Sequence, residues 1–179
     1  MSPVYVALSL FEFVLTATMS LLVIYVHYRM YIITNSDYDA VEELKKGNVA
    51  VAVLLGAMLV GGGLIVKEGI YPVVNLVRLK LTSPALAIDA PEIAAIAAGH
   101  VLLVFLVAVF TLSLGLRFWG RLARGAFVWG EELKRGNVAV GIVLAGVVLV
   151  FSNFMAEGVS HLTKSLIPQP SLGEVQVME

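Results

Sequence analysis

The sequence predicts an all-α protein, a four-transmembrane-helix bundle built from two tandem two-helix repeats in parallel orientation. Three observations lead there. Uncharged runs occupy 13–26, 49–66, 93–116 and 138–156, and a spanning helix needs about 20 mostly apolar residues. The last three approach or exceed that alone; the first reaches it with the apolar stretch 3–11, interrupted only by Glu12. Apolar residues make up 59% of the chain and charged residues 14%, well away from the even apolar share and one-quarter charge of soluble domains. Finally, Glu42-Glu43-Leu44-Lys45-Lys46-Gly47-Asn48-Val49-Ala50-Val51 recurs as Glu131-Glu132-Leu133-Lys134-Arg135-Gly136-Asn137-Val138-Ala139-Val140, and each copy feeds directly into an uncharged run.

The first span has no basic residue before it and no clear small-residue cleavage site, so it reads as a retained helix rather than a removable signal. Asp39 with Glu42 three residues later is an acidic capping box, which starts a helix near Ala40. That helix turns into the second span at Gly47-Asn48. Unit one covers 1–82, 83–90 is an extracytoplasmic linker punctuated by Pro84, unit two covers 91–165, and 166–179 is a tail. Within 73–82, Val73, Val74, Leu76, Val77 and Leu81 share one helical face, which predicts an amphipathic segment on the membrane surface. Two spans per unit give both copies the same sense, related by a pseudo-two-fold axis along the membrane normal.

Lys and Arg set the orientation. Arg29, Lys45, Lys46, Arg117, Arg121, Arg124, Lys134 and Arg135 follow the odd spans, against Lys67, Arg78, Lys80 and Lys164 on the other side. The short connections therefore face the cytoplasm and both termini lie outside.

The absence of cysteine excludes thiolate metal sites, iron–sulfur clusters and covalent haem attachment. His27 and His161 read as lying near opposite faces, so haem held between two histidines is not expected either. No cofactor and no metal are predicted, and a formal charge of −1 gives no reason to invoke nucleic acid.

Several residues are candidates for function. Asn48 and Asn137 stand where helix amides lack internal partners, so they cap those amides or hydrogen-bond across the pseudo-symmetry axis. Ala52 and Gly56 map onto Gly141 and Ala145, a small-xxx-small pattern that predicts close packing of the even spans. Glu68 and Glu157 close those spans at the outer face, as a cation site, a salt bridge or solvated acids. Glu12 and His100 lie about 12 Å into their spans at 1.5 Å per residue, with Asn153 at similar depth, and an ionisable group there is a functional hypothesis by default. A Glu12–His100 pair would share a proton. Arg117, Arg121 and Arg124 form a basic stripe suited to anionic headgroups, beside an aromatic belt of Phe118, Trp119, Phe127 and Trp129.

The repeated Gly-Asn-x-Ala core, Gly47-Asn48-Val49-Ala50 and Gly136-Asn137-Val138-Ala139, heads the even spans of two tandem units. In this the chain resembles the membrane family called domain of unknown function three-fifty. The resemblance implies a prokaryotic cytoplasmic-membrane protein of paired two-helix domains with no established activity.

Two functions remain open. The residues favour a non-enzymatic structural or accessory subunit, embedded in the lipid bilayer and assembling through its small-residue faces into a homo-oligomer or a larger membrane complex. The alternative is a small oligomeric proton or cation channel or carrier using Glu12 and His100. Span two has no polar residue beyond glycine, and span four has only Ser152 and Asn153, which counts against a wet pore through the even helices.

Overall fold

The computed structural model describes residues 3–34, 37–82, 89–122 and 128–166, with the backbone alone at 34, 82, 116, 118–120 and 122. Among the described residues every regular element is helical: α1 (Pro3–Thr34), α2 (Ala40–Lys45), α3 (Val49–Thr82), α4 (Ala90–Leu122), α5 (Trp129–Lys134) and α6 (Val138–Leu166). The four long helices are each long and apolar enough to cross a membrane. Most of the 83–90 linker, all but the first residue of the 166–179 tail, Arg124 and Phe127 lie outside the described residues.

The short helices form as their caps dictate. Asp39 accepts hydrogen bonds from the amides of Val41 (2.9 Å) and Glu42 (3.0 Å), and α2 starts at Ala40. Val128 stands at the same place before α5 and offers no side-chain cap. Both helices end on a glycine in the left-handed region, Gly47 at φ 78° and Gly136 at φ 77°. The closing hydrogen bonds match, Gly47 to Leu44 and Asn48 to Glu43 at 3.0 Å each, Gly136 to Leu133 and Asn137 to Glu132 at 2.9 Å each. This is the paired closure that releases a chain from one helix into the next, and it needs a residue without Cβ strain at the turn.

The long even helices do not stop where their charges begin. At 34 residues α3 is roughly 50 Å long at 1.5 Å per residue. It runs through Lys67, Glu68 and even Pro72 before ending at Thr82. The predicted surface helix at 73–82 is therefore the continuation of α3. Val73, Val74 and Leu76 are buried against neighbouring helices, which a segment lying flat on lipid would not achieve. Glu68 and Glu157 are correspondingly not at helix ends.

α3 sits at the centre and touches α1, α4 and, most extensively, α6. Two apolar clusters hold the bundle. One joins Met30, Tyr31 and Tyr38 to Val51, Leu54, Met58, Leu112, Leu133 and Leu144. The other joins Met19 and Val23 to Ile65, Val66, Val104, Ala108, Ala156 and Val159.

The small residues of the two helices stand in different surroundings. Gly141 and Ala145 are buried, and a Cβ on Gly141 would lie 2.7 Å from the Ala50 carbonyl oxygen and 2.8 Å from its Cα. Ala52 and Gly56 instead face outward, and a Cβ added to Gly56 would meet nothing within 4 Å. With three helices packed around it, α3 offers α6 the face that carries Ala50 and Gly61. A second contact, Gly61 beside Ser152, lies further along both helices in the same sense.

Candidate functional site

Two polar assemblies stand out, one at the helix junctions and one along the α3–α6 seam. At the first junction the Asn48 amide group donates to the Glu43 carboxylate (2.9 Å) and to the Leu133 carbonyl of the other unit (2.8 Å). Its Oδ1 accepts the Val51 amide at 3.3 Å, capping α3. Asn137 caps Val140 at 3.4 Å and donates to Glu132 at 2.7 Å. The cap is thus common to both units, while the bond between units runs from Asn48 to a backbone carbonyl and not to Asn137. Lys46 closes ion pairs with Glu42 (2.8 Å) and Glu43 (3.1 Å), and Arg135 does so with Glu131 (3.6 Å) and Glu132 (3.0 Å). The Asn48 hydrogen bond, and then Lys46, hold the Glu43 carboxyl below the usual carboxylate range; bonds to Glu42 and Glu43 raise Lys46. These groups are fully engaged with one another, and the arrangement reads as a joint.

The second assembly is a cleft of ≈ 460 Å³ walled by α3 and α6 alone. Lys67 and Glu68 line one side, and Asn153, Glu157, His161 and Lys164 the other. Among the described residues no ion pair joins these charged side chains. The repeated acids Glu68 and Glu157 are therefore brought into one cavity, together with Asn153.

The Glu12–His100 pair does not form. His100 is buried between α4 and α6, its ring nitrogens 3.1 Å from the Ile96 carbonyl and 3.3 Å from the Thr163 carbonyl, and Glu12 is exposed on α1. α1 and α4 run in the same sense but touch only slightly, each packing on α3 instead, so equal depth does not bring Glu12 and His100 together.

His27 points into the bundle. Its imidazole is fully buried against Gly62 in the interior of α3, where any Cβ would collide with the ring. Nδ1 lies 2.9 Å from the Val23 carbonyl and so donates to it, while Nε2 has no hydrogen-bond partner among the described residues. Thr111 Oγ1 and Ser152 Oγ are buried without partners as well, and Ser152 packs on Gly61, next to Gly62. Sequence reasoning missed this layer. The signal available was the Gly61-Gly62-Gly63 run, which marks a close approach but does not say what approaches.

Contacts along α3 set the relative heights of the helices. Val104, the middle of the uncharged run 93–116, packs on Gly69, the neighbour of Glu68. From the His27–Gly62 contact on α1, an antiparallel register of one residue down for one up puts Glu68 beside roughly residue 21, well inside the run 13–26. The charged cleft thus lies level with the most apolar parts of α1 and α4.

Of the basic stripe, Arg117 and Arg121 are exposed and line a second groove of ≈ 370 Å³ with Leu114 and Phe151. Among the described residues no group of three or more His, Cys, Asp or Glu is placed to hold a metal ion.

A family model described as Domain of Unknown Function (DUF350) matches residues 5–159. No curated protein and no solved structure matches the chain.

Proposed function

The chain belongs to the DUF350 family, and from that premise we propose that it is a non-enzymatic channel or carrier for protons or small cations, working at the α3–α6 cleft. The supporting observation is depth. The uncharged run of α1 is 13–26, with Arg29 just beyond it on the side of the short helices. The His27–Gly62 register sets that run beside roughly 63–76 of α3, a range that holds Lys67 and Glu68. Charges at such a depth are expensive and mark ion or proton routes. Glu68 and Glu157 can each take up and release a proton, or share a partly dehydrated cation, while Lys67 and Lys164 keep the cavity near electrical balance.

In this reading α2 and α5 face the cytoplasm of a prokaryotic cell and both termini lie outside, as the Lys/Arg bias favours. The two units are related by a pseudo-two-fold axis along the membrane normal, in keeping with the same-sense contacts of α3 and α6.

The test is flux in proteoliposomes under an imposed potential, followed with an internal pH dye and with monovalent cations in turn. The expected result is conduction lost in Glu68→Gln/Glu157→Gln and kept in Glu12→Gln. Conduction that survives the double substitution, or is absent from the unaltered protein, overturns the proposal.

A second reading, a structural or accessory subunit, is favoured by the outward-facing Ala52 and Gly56. It expects no flux and a larger membrane complex on native gels.

A further inference from the structure

We propose that a second copy of this chain docks along the exposed face shared by α3 and α6 and closes the charged cleft, so that the site is complete only between two protomers. The inference rests on the placement of that cleft at bilayer depth. The walls come from α3 and α6 alone, and Lys67, Glu157, His161 and Lys164 on them are exposed. Hydrocarbon cannot solvate two ammonium and two carboxylate groups, and within one protomer no ion pair among the described residues neutralises them. Something polar has to cover them.

The surface leading to the cleft is suited to a like surface. Ala52, Gly56, Val60, Leu64 and Lys67 follow one another at steps of three or four residues and are all exposed, so they form one stripe along α3 that ends in the cavity. Gly56 on α3 and Gly146 on α6 both stand open, with nothing within 4 Å of an added Cβ. Bare glycine on two neighbouring helices lets another helix come close enough for backbone packing, the main attraction between helices in lipid. Equal numbers of lysines and glutamates make the cavity self-complementary: a two-fold axis sets the patch against itself, with ammonium groups free to meet carboxylates. A partner of single charge sign would leave half the groups opposed. Docking here encloses the cleft between two α3–α6 pairs and turns an exposed notch into an internal polar chamber.

The chain has no cysteine, so single replacements report cleanly. Gly56→Cys and Phe13→Cys are compared in full-length protein in native membranes under copper–phenanthroline oxidation; Phe13 is 71% exposed on α1, away from the proposed contact. Gly56→Cys is expected to give about tenfold more cross-linked dimer than Phe13→Cys. Equal yields, or dimer through Phe13→Cys alone, overturn the proposal. Gly56 is exposed and a Cβ added there meets nothing within 4 Å, so Gly56→Leu is expected to keep its helical content while shifting the detergent-solubilised particle from dimer to monomer. A dimer that tolerates it overturns the proposal too. Cross-linking at Gly56→Cys in a protein without flux supports the dimer and sinks the transport reading; flux without that cross-link sinks the dimer alone.

Discussion

At the place where the first unit packs His27 of α1 against Gly62 of α3, the second packs Gly115 of α4 against Phe151 of α6. Phe151 stands in the second copy where Gly62 stands in the first, counting on from the shared Gly-Asn pair. The odd and even helices have exchanged the large and the small partner. Helix separation depends on the combined bulk of a facing pair, so a ring on either side with glycine opposite keeps the spacing. The chemistry differs nonetheless. Phe151 brings no polar atom, whereas His27 brings a buried nitrogen without a partner. Both copies set an aromatic ring against glycine, a polar ring in the first and an apolar one in the second.

The same contrast appears where the even helices begin. Gly141 presses on the Ala50 backbone, while the corresponding Ala52 looks outward. Gly141→Leu should therefore be the most damaging change, about 3 kcal/mol or more, because backbone atoms cannot move aside. Ala52→Leu should stay within about 0.5 kcal/mol in the monomer, as expected of an exposed position. Unfolding of each variant in mixed micelles measures both, and equal losses would show that the two positions are used alike.

Gly62→Leu should cost about 2 kcal/mol by displacing His27, less than Gly141→Leu because a ring can shift. Gly62→Phe with His27→Gly imports the arrangement of the second unit and should recover most of the stability lost in Gly62→Phe alone. Lack of recovery in the same assay would break the idea of an exchanged pair.

A smaller difference is expected between the asparagines. Asn48→Ala should cost about 1 kcal/mol more than Asn137→Ala, the worth of the additional bond to the Leu133 carbonyl. Equal costs would mean that the link between units contributes nothing measurable.

The smallest effect is a pH response at the first junction. Glu43 is held below the usual carboxylate range, so its contribution is present above that range and is lost as pH falls through the lowered value. Lys46 is raised, so its contribution is present at neutral pH and is lost only as pH rises through the raised value. Amide protection across residues 44–51, taken relative to the intrinsic exchange rate, should fall as the unaltered protein is acidified through that lowered value, and Glu43→Gln should flatten the dependence.

Sequence patterns reached the features fixed by local chemistry. Four long helices follow from uncharged length, α2 from the Asp39 cap, and both junctions from glycine followed by asparagine. Helix extent was misjudged because a run of apolar residues ends at Lys67 whereas a helix ends only where its hydrogen bonding does. The wrong face of α3 was chosen because Ala52 and Gly56 match Gly141 and Ala145 by position, yet α3 has three long neighbours where α6 has two. Glu12 and His100 were paired on depth alone. Which side chains meet across helices depends on rotation and register, and the pairing of Glu68 with Glu157 in one cleft became visible only once both were set.

Pro72 adds a last asymmetry. Having no amide hydrogen, it leaves the main-chain oxygen of Glu68, one turn earlier, without its regular α-helical donor. The second copy has His161 at that position and keeps an amide to donate. Glu68 therefore carries both a carboxylate facing the cleft and a main-chain oxygen that lacks the donor every unbroken helical turn supplies.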